Sequence, residues 1–106
     1  MLFRSIAENL GIRVMELPGG QDGRVRPSSI RQAVADLGLC ATYCEGGPAL
    51  ARSMLDEGEV DYLFSYVSPK VFNSSEALHG PDLSKLSLHK PIEVGLGEDL
   101  LRHGYL

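Results

Sequence analysis

The chain has 106 residues, 43% apolar and 23% charged, with a formal net charge of −4 and no tryptophan, which suits one small globular domain, or part of a larger one, with a mostly aliphatic core. No basic cluster points to nucleic acid, no apolar run approaches the ~18 residues of a membrane span, and Met1-Leu2-Phe3-Arg4 is charged too early for a secretory signal. Cys40 and Cys44 are the only cysteines, so no disulfide framework is expected and a reducing cytoplasm is the expected location.

Residues 4 to 10 read as the last turns of a helix, with Ile6 and Leu10 on one face and Gly11 as its C-cap. Ile12 to Leu17 reads as a short strand. Pro18-Gly19-Gly20-Gln21-Asp22-Gly23 is rich in turn formers. A second helix is expected with Ser28 or Ser29 as its cap and Pro27 near its start. Ile30, Val34 and Leu37 form its apolar stripe beside Ala33, and Gly38 ends it.

Leu39 to Glu45 reads as a strand that runs into Gly46-Gly47-Pro48. A third helix follows from about Pro48 to Asp56, with Leu50, Ala51, Met54 and Leu55 on its buried face. Val60 to Val67 is rich in aromatic and β-branched residues, as strands are. Val71 to Lys90 is irregular. Ile92 to Val94 and Leu100 to Tyr105 read as an antiparallel pair joined through Gly95-Leu96-Gly97. The alternation of helix and strand predicts an α/β sheet, parallel in its middle with an antiparallel edge.

The junction Glu45-Gly46-Gly47-Pro48 is the main candidate site. A Gly-Gly turn into a helix N-terminus presents bare N–H groups and the positive end of the helix dipole, which favours phosphate. Glu45 then sits at the C-terminal end of a strand, where open α/β sheets bind ligands. The plainer reading is a tight turn that needs glycine for its backbone.

The other candidates are weaker. Cys40 and Cys44 fall on one side of a strand and read as core thiols, since a structural zinc site needs more ligands. His79, His89 and His103 lack metal-ligand spacing and read as surface or hairpin residues. Asp56, Glu57, Glu59 and Asp61 read as a solvated acidic face. Ser74 and Ser75 could approach a phosphate but read first as turn formers.

Leu17-Pro18, Asp22-Gly23-Arg24-Val25, Cys44-Glu45-Gly46-Gly47-Pro48-Ala49-Leu50-Ala51, Val60-Asp61-Tyr62-Leu63 and Tyr66-Val67-Ser68-Pro69-Lys70 follow one another in order. Together they resemble the pyrimidine reductase domain of riboflavin biosynthesis, from the bifunctional deaminase-reductase family. Gly97-Glu98-Asp99-Leu100-Leu101 is similar to that family's last strand. The resemblance implies a three-layer α/β/α dihydrofolate-reductase-like fold, mostly parallel with a C-terminal antiparallel hairpin. It makes residues 1–106 the C-terminal portion of a single reductase domain, truncated at its N-terminus.

The implied activity is NADPH-dependent reduction of the ribosyl group of 5-amino-6-(5-phosphoribosylamino)uracil to ribityl. Hydride passes from the nicotinamide to the sugar C1′ carbon, so positioning is the protein's main contribution. By motif match, Glu45 contacts the phosphorylated aminopyrimidine. Gly47, Pro48, Ala49, Leu50, Ala51, Arg52 and Ser53 line the NADPH phosphates. Pro48 has no N–H, so Gly47, Ala49 and Leu50 are the amide donors.

Two departures stand out: this chain is shorter than the family's domains, and Phe72-Asn73-Ser74-Ser75 replaces a glycine-rich loop. The expected partners are the substrate and either a second copy or a missing N-terminal half, with no nucleic acid and no membrane. Two other readings compete. One is a non-catalytic fragment or assembly module of the same fold. The other is a reductase of that fold acting on a different pterin or pyrimidine.

Overall fold

The structure is a computed structural model that describes residues 2–106. It contains three helices, α1 (Leu2–Asn9), α2 (Pro27–Asp36) and α3 (Pro48–Asp56), and three strands, β1 (Tyr62–Val67), β2 (His89–Leu96) and β3 (Asp99–Tyr105). The chain is therefore mixed α/β. It divides into two units, one ending at Cys40 and the other running Ala41–Leu106.

In the first unit, α1 closes as its sequence predicts. Gly11 takes a φ of 75°, and the amides of Gly11 and Ile12 return to the carbonyls of Glu8 and Ala7 at 3.0 and 2.9 Å. That is the left-handed glycine cap, which a side chain with a Cβ adopts only at a cost. The buried position on α1 is Ala7, whereas Ile6 and Leu10 are 50% and 72% exposed. Arg4 bridges Glu8 on the same helix and Glu16 beyond it.

The segment from Ile12 to Leu17 has no regular secondary structure and joins no ladder. The nearest pairing is a single antiparallel bridge from Gly19 to Val25. It closes a turn in which Gly20 N–H donates to the Arg24 carbonyl at 2.7 Å and Arg24 N–H donates to Asp22 Oδ1 at 3.0 Å. A strand needs a hydrogen-bonding neighbour, and no described residue supplies one.

α2 begins earlier than a serine cap would place it, its N-cap lying two residues before Ser28. Arg26 is the N-cap, no side chain caps the helix, and Pro27 occupies the first turn. Neither Ser28 nor Ser29 plays the expected role, because Pro27 has the fixed φ and missing N–H that suit a helix start. Pro27 and Ala33 are buried. Gly38, at φ 73°, ends the helix as predicted.

In the second unit, α3 has the bounds that the sequence predicts. Gly58, at φ 68°, closes it, and the amides of Gly58 and Glu59 reach back to Leu55 and Met54. No residue of α3 is fully buried. The sheet has the order β1-β3-β2, and both pairings are antiparallel. The described residues hold no parallel pair, because the two segments expected to supply parallel strands, 12–17 and 39–45, form no ladder.

The C-terminal hairpin is longer than the sequence suggests. β2 runs to Leu96 and β3 starts at Asp99, leaving Gly97-Glu98 as a two-residue turn. Gly97 has φ 65°, and glycine at the first central position is the type II′ pattern that matches strand twist. At its other end β2 breaks register between His89 and Ile92. Lys90 there has φ 46°, a left-handed conformation costly for a non-glycine residue. The bulge folds over Gly104, where an added Cβ would lie 3.3 Å from the His89 oxygen, the Leu88 Cβ and the Pro91 Cα.

Side chains alternate across the sheet. The register puts Tyr62, Phe64 and Tyr66 of β1 on the same face as Leu101, His103 and Tyr105 of β3. Ile92, Val94 and Leu96 of β2 extend that face. The opposite face carries the Arg102–Glu93 ion pair. Among the described residues, the buried apolar side chains are Ala7, Pro27, Ala33 and Leu88. The chain exposes 8766 Å², whereas two separate folded units of these lengths would expose about 7,000 Å² by the usual size scaling. Much apolar surface is therefore left without a covering layer.

Candidate functional site

The Glu45–Ser53 junction lies entirely in the second unit. Leu39 to Glu45 is not a strand: it has no ladder partner, and Cys40 and Cys44 are exposed free thiols rather than core residues. The cause is the same as for residues 12–17. An apolar extended segment buries its side chains only once neighbours pair with it and cover it. The end of this segment still lies beside the sheet, since the Tyr43 ring meets Phe64 edge-on at 6.2 Å.

The helix start agrees with the sequence. Gly47 is the N-cap of α3 with φ −68° and ψ 178°, Pro48 opens the first turn, and no side chain caps the helix. The first return bond runs from Ala51 N–H to the Gly47 carbonyl at 3.0 Å. The amides of Ala49 and Leu50 precede that bond, so they point out of the helix end with the positive pole of its dipole.

The two glycines differ in kind. A Cβ on Gly46 would lie 2.4 Å from Leu50 Cδ2, so the absence of a side chain there is a packing requirement. A Cβ on Gly47 would meet nothing within 4 Å, and its φ is one that any residue adopts. Neither packing nor conformation calls for glycine at position 47. What its missing side chain provides is open space directly above the helix N-terminus.

Around this point Glu45, Gly47, Ala49 and Arg52 are exposed, and Pro48, Ala51 and Ser53 are half-buried. Leu50 is 37% exposed. Arg52 follows Pro48 by one helical turn, and its Nη2 donates to the His79 carbonyl at 3.3 Å, which ties the long loop to α3. The site is an open shelf, not a pocket. A shallow hollow of about 240 Å³ lies at the opposite end of α3, lined by Leu55, Gly58, Val60, Leu86 and Leu106, and it has no polar side chain to orient a ligand.

Ser74 acts as a turn former: its Oγ accepts from the Glu76 amide at 3.2 Å. Asp82 accepts from the Ser84 amide at 3.1 Å and from the Ser84 hydroxyl. These hydrogen bonds, led by the one from the Ser84 side chain, hold its carboxyl below the usual carboxylate range. No group of three or more His, Cys, Asp or Glu side chains among the described residues is arranged to hold a metal ion.

One constellation was not visible in the sequence. The Tyr62 hydroxyl lies 2.6 Å from Nδ1 of His103. The His103 ring stacks on Phe64 at 5.2 Å and 17°, and Tyr105 meets Tyr62 edge-on at 4.7 Å. His103, expected at the surface or in the hairpin, lies in β3, and nothing in the sequence puts it in this cluster. The only signal was the alternation of aromatic residues in Tyr62-Leu63-Phe64-Ser65-Tyr66, which shows a shared face but not what lies opposite.

No protein-family model matches the chain, and no solved structure matches it.

Proposed function

We propose that this chain is part of an NADPH-dependent reductase of riboflavin biosynthesis, which reduces the ribosyl group of 5-amino-6-(5-phosphoribosylamino)uracil to ribityl. The observation that carries the reading is the Gly47 helix start. It has uncapped amides at Ala49 and Leu50 and no side chain above it, at the position where the ordered motifs resemble that family's NADPH-phosphate loop. A dinucleotide phosphate placed there accepts from those amides and is attracted by the helix dipole. Arg52, exposed one turn further on, adds positive charge. Glu45, just before the glycines and exposed, is placed to accept from a hydroxyl or amino group of the aminopyrimidine.

The finer architecture belongs to the same proposal. A three-layer, mostly parallel dihydrofolate-reductase-like sheet needs further strands, and two features would accept them. β1 pairs with β3 on one side only, and residues 39–45 join no ladder. A strand supplied by additional polypeptide and paired with these edges would bury Tyr43, Cys40 and Cys44. It would also supply the second wall of the site, because this chain's own residues form only a shelf.

In this mechanism the cofactor supplies the hydride. Gly47, Ala49 and Leu50 would hold its phosphates and Glu45 would orient the substrate, so that the two are positioned for the transfer. The test is calorimetric titration of NADPH into the chain alone and into the protein completed by an N-terminal half, followed by assay of NADPH oxidation with the phosphorylated aminopyrimidine. Binding that strengthens on completion, with turnover, supports the reading. Absence of NADPH binding in the completed protein refutes it.

A further inference from the structure

Between β1 and β2 the irregular chain is fastened to α3 at two points. The His79 carbonyl accepts from Arg52 Nη2 at 3.3 Å, and Leu86 lines the hollow with Leu55 and Gly58 at the other end of the helix. Residues 68–78 are an arc held at its ends, by the β1–β3 ladder at Val67 and by the Arg52 latch at His79. The arc's own hydrogen bonds are short-range. Lys70 N–H donates to Ser68 Oγ, Glu76 N–H to Ser74 Oγ, and Ala77 N–H to the Ser74 carbonyl. Apart from Ala77, which is half-buried, the arc is exposed. A segment with so little burial moves at low free-energy cost.

Two features give the arc a direction in which to move. Val71, Phe72 and Leu78 are 78%, 86% and 82% exposed, three of the four most exposed large apolar side chains among the described residues. Covering them returns free energy that their hydration costs. The latch also places the arc. Arg52 lies about 6 Å along the helix axis from Pro48, and helical side chains lean toward the N-terminus. The arc therefore stands beside the uncapped start of α3. Leu78 adjoins the latch and Phe72 is seven residues from His79, a reach of up to about 24 Å. Both can cross the shelf while Arg52 keeps its bond.

We propose that residues 71–78 are a lid, pinned by Arg52, that closes over a nucleotide held by its phosphates at the α3 N-terminus and lays Phe72 and Leu78 on its base and ribose. The proposal rests on the phosphate reading of that junction. A nucleotide fits both parts. Its phosphates match the free amides and the helix dipole, and its ring system needs an apolar cover that the open shelf lacks. The arc does not repel such a ligand, because Lys70 and Glu76 are its only charged residues and they cancel. Closure also keeps water from the phosphate contacts, as loops that cover bound substrates do.

The test is NMR titration of the full chain with NADPH and, separately, with inorganic pyrophosphate, each into the roughly millimolar range. The chain has no tryptophan, so Phe72→Trp adds a single indole N–H resonance to the lid. NADPH is expected to shift both the junction amides and the indole, whereas pyrophosphate, which has no ring to cover, shifts the junction amides alone. Phe72→Ser is expected to raise the NADPH dissociation constant about tenfold and leave that of pyrophosphate unchanged. Phe3→Ser, a comparably exposed position in the first unit, is expected to change neither. Junction amides that respond to NADPH while the indole stays still overturn the lid and leave the phosphate reading standing. So does a Phe72→Ser variant that binds NADPH as the wild type does, as expected if further polypeptide covers these side chains instead. Junction amides that respond to neither compound overturn both.

Discussion

Tyr62 and His103 are diagonal neighbours across the β1–β3 pairing, with the tyrosine hydroxyl 2.6 Å from Nδ1 of the imidazole. With the ring proton on Nε2, the hydroxyl donates to Nδ1. The bond links two strands that are 41 residues apart in sequence, and it sits among rings that stack and meet edge-on. It adds a side-chain link to the backbone ladder that ties β1 to the hairpin.

Removing the hydroxyl with Tyr62→Phe is expected to cost about 1 kcal/mol, the net value of a part-buried hydrogen bond. His103→Phe should cost a similar amount, and the double variant less than the sum, with a coupling of about 0.5–1 kcal/mol. Urea unfolding followed by tyrosine fluorescence measures all four corners. Strict additivity would mean that the bond contributes nothing beyond its two rings.

Two glycines of the hairpin make opposite predictions. Gly104→Ala places a Cβ 3.3 Å from Leu88 Cβ and from two backbone atoms of the β2 bulge, the His89 oxygen and Pro91 Cα, and should destabilise by about 1–3 kcal/mol. Gly95→Ala meets nothing within 4 Å and should be neutral, or stabilising by up to about 1 kcal/mol through the unfolded chain. Thermal melts of the two variants side by side check the contrast.

At the junction, Gly46→Ala forces the Leu50 side chain to move and should lower stability by about 1 kcal/mol. Gly47→Ala should cost up to about 1 kcal/mol, because alanine is a poorer N-cap than glycine, while weakening NADPH binding, because its methyl group enters the space above the helix end. Pairing a melt with a titration separates the two glycines. A Gly47→Ala variant with normal NADPH affinity would argue that the shelf is only a turn.

Glu45→Gln in the completed protein should weaken substrate binding more than NADPH binding, since the carboxylate faces the substrate side of the junction in the proposed site. Isothermal titration with each ligand checks it. Equal loss of both would make Glu45 a structural residue.

Asp82 gives a pH prediction. Its carboxyl is held below its ordinary value by the Ser84 hydroxyl and amide. Its contribution is therefore complete above the unfolded carboxylate value and is lost as pH falls through the lowered folded value. The Ser84 amide resonance should report that titration, and Asp82→Asn should remove it.

The helices were largely legible because their stops are local. Gly11, Gly38 and Gly58 all take left-handed conformations, and a glycine after an apolar stripe announces that without any tertiary information. Pro27 and Pro48 mark the starts in the same way, although Pro27 displaced the serine caps expected at the next two positions. β1 and the hairpin were legible from their aromatic and β-branched runs.

Residues 12–17 and 39–45 show where sequence stops. Both segments read as strands, but a ladder depends on a neighbour that no local pattern specifies, and neither forms one. The exposure of Cys40 and Cys44 follows from that missing neighbour. The Tyr62–His103 pair was hidden for a related reason: it depends on the β1–β3 register, which brings distant residues together. At the junction, Glu45 and Gly47 could be named from sequence. The division between a packing glycine and an open one needed coordinates.

The most direct measurement is an amide NMR titration of the labelled chain with NADPH, raised to the roughly millimolar range in which half a site still binds. Inorganic pyrophosphate serves as the phosphate-only comparison. Binding at the α3 N-terminus predicts shifts concentrated at Gly47, Ala49 and Leu50, reproduced in part by pyrophosphate and diminished in Gly47→Ala. Unmoved junction amides, or shifts confined to the aromatic face of the sheet, would contradict it.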